Sequence, residues 1–203
     1  MKGAFLCSLF MVLLFVVGIE ALNSPRQGIS SDNTPGNLSP NDDAFNIMMQ
    51  VVMSPRCMNC HPSGDRPTQG DDMHQHYFNV QRGPDDHGAG TMQCQTCHQD
   101  KNNDYTGVPG VKDWHIAPRS MGWQGLDKYQ VAKKMVNPTL NGGLDLEALA
   151  KHLTEDELVL WAFNPGVNQL GQQRTPPPVT KEDYIKAVKE WVLQGAQIPK
   201  TSE

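Results

Sequence analysis

The spacing of apolar positions changes several times along the chain, and each change predicts an element. Residues 4–18, AFLCSLFMVLLFVVG, form an almost wholly apolar run behind Lys2. The run is shorter than the ~20 residues a membrane-spanning helix needs. It matches the apolar region of a secretory signal, with cleavage after Gly18 or Ala21 and an uncleaved anchor as the alternative. The next stretch, LNSPRQGISSDNTPGNLSP, is rich in Ser, Asn, Gly and Pro and predicts a flexible or extended lead-in. Helical spacing then begins. Asn41 is the predicted N-cap, acids fill the first turn, and Phe45, Met48, Met49, Val52 and Met53 recur on one face. Those methionines read as core.

From residue 62 to residue 110 periodicity fades, and Gly, Pro, Asp and His dominate. A loop of that length needs something beyond its own side chains to order it. Helical spacing returns over 126–136, 144–153 and 154–163, where Thr154 and Glu157 have the spacing of a capping box. The last predicted helix starts at Thr180, ends near Gly195, and carries Tyr184, Val188, Trp191 and Val192 on one face. The organisation expected is a signal segment 1–21, a flexible segment 22–40 and one domain 41–199. The fold class expected is mainly α, with little or no sheet.

Composition sharpens this picture. The chain has 203 residues and a net charge of −5, with no basic patch to receive nucleic acid. Beyond the leader about a third of the residues are apolar, against ~45–50% in a typical domain on a count that includes Gly. Something other than side chains is therefore expected to fill part of the interior. Five cysteines are present, and one of them, Cys7, lies in the leader. The other four are Cys57 and Cys60 in CMNCH and Cys94 and Cys97 in CQTCH.

A CxxCH unit is a site of c-type haem attachment. Thiols three positions apart can reach the two vinyl groups on one porphyrin edge, and the adjacent histidine becomes the proximal iron ligand. The units therefore predict two covalent haems c, on Cys57/Cys60 and Cys94/Cys97, with His61 and His98 as proximal ligands. A redox dithiol would need a βαβ context, which the pattern lacks. A single four-cysteine zinc site would leave both histidines without a role. One CxxCH arises by chance in roughly one chain in a thousand of this size, so two are a specific signal. A chain this polar is expected to fold around its prosthetic groups, much as metal-dependent domains fold around their ion.

The second axial position decides between electron carriage and an open reactive iron. His74, His76, His87, His115, His152 and several methionines are available. His74 and His76 fall on one side of an extended segment, a spacing that would also suit a paired metal such as copper. Met121 lies in APRSMGW, a proline-led loop.

Several segments together resemble a family of small exported dihaem cytochromes c: HPSGDRPTQG, HQHYFNVQRG, CQTCH, WHIAPRSMGW, LVLWAFNPG and WVLQGAQIP. Members are often named as the cytochrome subunit of isoquinoline 1-oxidoreductase, a molybdenum hydroxylase, and the resemblance spans about 42–199. The fold expected is cytochrome c-like helices with long haem-wrapping loops; the closing helix with Tyr184 and Trp191 resembles that of class I cytochromes c, which packs on the helix preceding the haem motif. The family resemblance singles out His76, Met121 and His152 as distal ligands. It also implies an electron-transfer protein and not an enzyme, in the periplasm or otherwise exported. Electrons would pass from a molybdenum hydroxylase or other dehydrogenase to a terminal acceptor, with no membrane span after signal cleavage. A dihaem peroxidase and a subunit of a cytochrome filament are the other readings. The short distance between the motifs disfavours the peroxidase.

Overall fold

The structure is a computed structural model and describes residues 40–200. The expected signal segment 1–21 and nearly all of the lead-in lie outside the described residues. Among those described are six α-helices and three two-stranded antiparallel sheets, so the chain is α-rich with small sheets.

Helix α1, Pro40–Val52, opens at Pro40, one residue before the expected cap at Asn41. Proline is favoured in a first helical turn because its missing N–H is not needed there. The short α2, Pro55–Met58, follows and carries Cys57. The four later helices are α3 (Lys128–Met135), α4 (Leu146–Glu155), α5 (Glu157–Leu160) and α6 (Lys181–Leu193). Each starts at a side chain that accepts backbone N–H groups: Asp127, Asp145, Asp156 and Thr180 respectively. A full capping box forms in α3, between Asp127 and Gln130.

The capping box expected at Thr154 does not form. Thr154 lies inside α4 and donates its hydroxyl to the Ala150 carbonyl at 2.8 Å. Asp156 makes the break instead, because its carboxylate accepts from Leu158 N at 2.8 Å. Asp is the stronger cap of the two residue types.

The segment read as a long loop contains all three sheets. They pair β1 (Thr68–Gln69) with β2 (His74–Gln75), β3 (Gly88–Ala89) with β4 (Met92–Gln93), and β5 (Lys101–Asn103) with β6 (Val108–Val111). Strands of two to four residues are too short to show a period-two pattern. The expectation of little or no sheet holds only in that each hairpin is minimal.

One apolar core joins α1, α3, α4 and α6. Phe45, Met48 and Met49 of α1 are buried, as are Tyr184, Val188 and Trp191 of α6. Phe45 meets Trp191 at 6.4 Å between ring centroids and stacks on Tyr129 at 5.7 Å. The expected apolar faces of these helices are thus the ones that pack together. In the hairpin region few apolar side chains are buried, Cys94, Trp114 and Ile116 among them. No helix among the described residues is long and apolar enough to cross a membrane.

Trp191 is fully buried, and its indole N–H donates to the Gln197 carbonyl at 2.9 Å. Trp191→Ala is expected to cost about 3–5 kcal/mol. Leu193→Ala, on the same helix but 87% exposed, should stay within about 0.5 kcal/mol. Urea unfolding midpoints of the two variants check the contrast.

Candidate functional site

The first motif is built on α2. Ser54 is extended, Pro55 starts the turn, and Cys60 N–H reaches the Cys57 carbonyl at 3.1 Å. A helical turn puts positions i and i+3 on one face, so Cys57 and Cys60 point into the same cavity, which His61 also lines. A loop 60 residues downstream closes over the motif. Ala117 N–H donates to the Cys60 carbonyl (2.8 Å), Trp123 N–H to the His61 carbonyl (2.9 Å), and His61 Nδ1–H to the Met121 carbonyl (2.8 Å). A nitrogen facing a carbonyl must carry the proton, which leaves His61 Nε2 with its lone pair for a metal. The Trp123 indole stacks on the imidazole at 3.3 Å and 8°. Between Met121 and Trp123 in the chain lies Gly122, where a Cβ would come within 2.7 Å of Ser63 Cα, so only glycine lets the two backbones pass.

The second motif repeats this construction with different parts. Cys94–Thr96 makes a 3-10 turn, and His98 N–H donates to the Cys94 carbonyl at 2.9 Å. His98 Nδ1–H donates to the Pro109 carbonyl at 2.7 Å, and Trp114 stacks on the ring at 4.4 Å and 2°. Each motif therefore combines two cysteines on a helical turn, an imidazole with Nε2 left bare, and an indole lying flat against that imidazole.

Burial dominates the electrostatics. It pushes His61 down to about 3, against the Met121 hydrogen bond that opposes it. It pushes His98 down to about 4, again against a carbonyl hydrogen bond. Both imidazoles are neutral at ordinary pH, the form that ligates a metal. Burial raises Cys57 to about 12, helped by Cys60, and Cys60 to about 11, helped by Cys94. A reactive CxxC dithiol has lowered thiol values, so these cysteines are not poised for disulfide exchange. All four are free of disulfides.

The first cavity, of about 220 Å³, is lined by Cys57, Cys60 and His61 on one side and by His152, Leu153 and Trp161 on another. His152 lies near enough to His61 to depress it further. Its Nδ1 is held by Asp156 at 3.1 Å, which leaves Nε2 for another partner. His76 plays the matching part at the second motif. Its ring centroid lies 6.1 Å from that of His98, and its Nδ1–H donates to the Tyr77 carbonyl at 2.9 Å. Two imidazoles that share one ion in line have centroids roughly 6 Å apart, from metal–nitrogen bonds of about 2 Å each. The donor set at both motifs, and at the second the ring spacing as well, therefore fits a haem iron between two histidines.

Met121 also lines the first cavity, but its carbonyl is the acceptor that holds His61. That ties the Met121 backbone to His61. His74 is bound to Asp72 at 2.6 Å, whereas His76 faces His98, so the pair expected on one side of the strand has separate partners.

Several site residues escaped the sequence reading. Trp114, Trp123 and Trp161 carry no spacing signal of their own. Trp161 lines the first cavity and meets Trp114 edge-on at 4.9 Å. Asn102 holds it there, accepting from Trp161 Nε1 at 2.8 Å. Arg82 is 5% exposed and donates to the carbonyls of Pro62 (3.2 Å), Gly64 (3.1 Å) and Ala117 and to Asp86 (2.5 Å). It ties the exit of the first motif, the loop above it and the β3–β4 hairpin together. Five fixed donors on a planar group make this possible; a lone Arg between Gln and Gly gives no hint of it.

Comparison with family models, with curated proteins and with solved structures finds no match for this chain.

Arg82→Ala leaves the buried Pro62 carbonyl, two partly exposed carbonyls and Asp86 without their donor and is expected to cost about 3–5 kcal/mol. Arg82→Lys should recover only a minority of that, because one ammonium cannot span the same acceptors. Denaturant titration of both variants tests this, and full rescue by Lys would refute the forked role.

Proposed function

We propose that the chain is an exported dihaem c-type cytochrome that carries electrons and turns over no substrate of its own. The observation that carries this reading is the double construction: two CxxCH turns, each with a neutral, carbonyl-held imidazole facing a second histidine. The α1–α6 packing beside the first motif agrees with a cytochrome c-like arrangement.

In this reading Cys57 and Cys60 bind one haem by thioethers and Cys94 and Cys97 the other. Haem iron, when bound, supplies a one-electron Fe(II)/Fe(III) couple whose potential follows its axial ligands. His61 and His152 would hold the iron of the first centre, and His98 and His76 that of the second. The carbonyls of Met121 and Pro109 fix the proximal rings and raise their basicity. Leu153 and Trp161 keep water from the first centre. Met121 acts through its carbonyl, so two histidines rather than a histidine and a methionine ligate the first iron. The partners in this reading are redox proteins, with a molybdenum hydroxylase or other dehydrogenase as donor.

The mature protein should exceed its chain mass by two haems and give a c-type pyridine haemochrome. A single haem, or zinc in place of both, would overturn the reading.

The axial assignment has its own test. His152→Ala and His76→Ala should each convert one haem towards high spin and open it to CO, with the other haem unchanged. Met121→Ala should leave both ferric spectra low-spin. The weak charge-transfer band of iron–thioether bonding should be absent from the unmodified protein. Its presence there, with loss in Met121→Ala, would return Met121 to the axial position.

A further inference from the structure

Three donors outside both axial pairs converge on the surface. His87, Asp113 and His115 each offer one ligand atom, and these atoms lie within 4.8 Å of one another. The two imidazoles are stacked, 4.8 Å between centroids and 25° apart. Each has its Nδ1–H committed to a backbone carbonyl two residues upstream: His87 to Asp85 at 2.6 Å, His115 to Asp113 at 2.6 Å. Both Nε2 atoms are therefore the ones left to bind, the arrangement found behind metal-ligating histidines.

His87 Nε2 lies 3.2 Å from Asp113 Oδ1. With Nδ1 protonated, a neutral His87 would turn a lone pair towards that carboxylate. The contact is favourable only with a cation at or beside Nε2. A proton meets that need for His87 alone; a metal ion meets it for His87 and His115 together.

The backbone sets the three side chains in advance. Asp113 has φ 59°, a left-handed conformation that Asp tolerates better than most residues. Ile116 N–H donates to the Asp86 carbonyl at 3.1 Å, which pins the two loops to each other. The side chains are 30% (His87), 67% (Asp113) and 33% (His115) exposed, so an ion can enter from solvent.

We propose that His87, Asp113 and His115 form a site for a divalent first-row cation of the zinc or copper class, with water in the remaining positions. Two imidazoles and one carboxylate suit such borderline ions, and affinity rises towards copper. Occupancy would clamp the loop before Cys94 to the loop that carries Trp114. The His87 carbonyl holds Cys94 N–H at 2.7 Å, and Trp114 stacks on His98, so the second motif would feel the clamp. The site does not depend on what the two cysteine motifs hold.

The test titrates Zn²⁺ alone into the untagged, chelator-treated protein by calorimetry, with any prosthetic groups in place. One equivalent should bind. His87→Gln and His115→Ala should each weaken binding at least about tenfold, while His74→Ala, in β2, should not. Thermal unfolding should shift upward with Zn²⁺ in the unmodified protein and in His74→Ala only. Absence of binding, or binding that survives both cluster variants, overturns the proposal. Zinc that is lost only on replacing Cys57 and Cys60 would belong to the cysteines and overturns it too. His115 also lines the first cavity. A changed haem spectrum in His115→Ala or His87→Gln would make that residue an iron ligand and end the proposal.

Discussion

The hydrogen bond from His61 Nδ1 to the Met121 carbonyl fixes the geometry on which much of this structure depends. It spans 60 residues at 2.8 Å and decides at once the tautomer of the imidazole and the position of the loop above it. With that loop in place, Ala117 and Trp123 can close their own bonds onto Cys60 and His61, and Trp123 can lie flat on the ring. Arg82 then finds the Ala117 carbonyl beside those of Pro62 and Gly64. None of these contacts is local, and each is only as good as the first. Low local dielectric strengthens such a network when every member is satisfied.

The helical part of the molecule was legible because its apolar faces are long enough to show a period. Phe45, Met48 and Met49 on α1 and Tyr184, Val188 and Trp191 on α6 needed no structure to be named as core, and they are core. The cap at Thr154 was misread because Asp156 competes two residues later with a stronger acceptor. The hairpins were invisible because two-residue strands such as His74–Gln75 carry no alternation. At the motifs, spacing alone named the cysteines and the adjacent histidines, His61 and His98. What faces them was undecidable from spacing, since His152 and His76 reach their partners through the fold. Met121 illustrates the limit: spacing pointed to its side chain, and the bond to His61 is made by its carbonyl.

The two halves of the molecule are held by different means. Around α1, α3, α4 and α6 stability comes from apolar burial. Around the second motif it comes from hydrogen bonds of individual polar side chains. Asn102 is the example: it accepts from Gly110 N–H and Trp161 Nε1 and donates to the Asn164 carbonyl. Polar networks of this kind specify one arrangement sharply, but they add little net free energy per bond. The region with few buried apolar groups is thus the one that relies most on such polar bonds.

The long reach of the His61 bond also orders events in time. Residues 117–123 are made after both cysteine motifs, so the ribosome delivers the second motif before the first has its lid. At synthesis rates of ~5–20 residues per second, the 60 residues between His61 and Met121 take about 3–12 s. Throughout that interval Cys57, Cys60 and His61 lack the backbone partners that later enclose them. Until residues 117–123 dock, these thiols are without their lid, and the finished fold encloses them. The lid is therefore a clock as well as a wall: the seam formed by residues 117–123 sets when access to Cys57 and Cys60 ends.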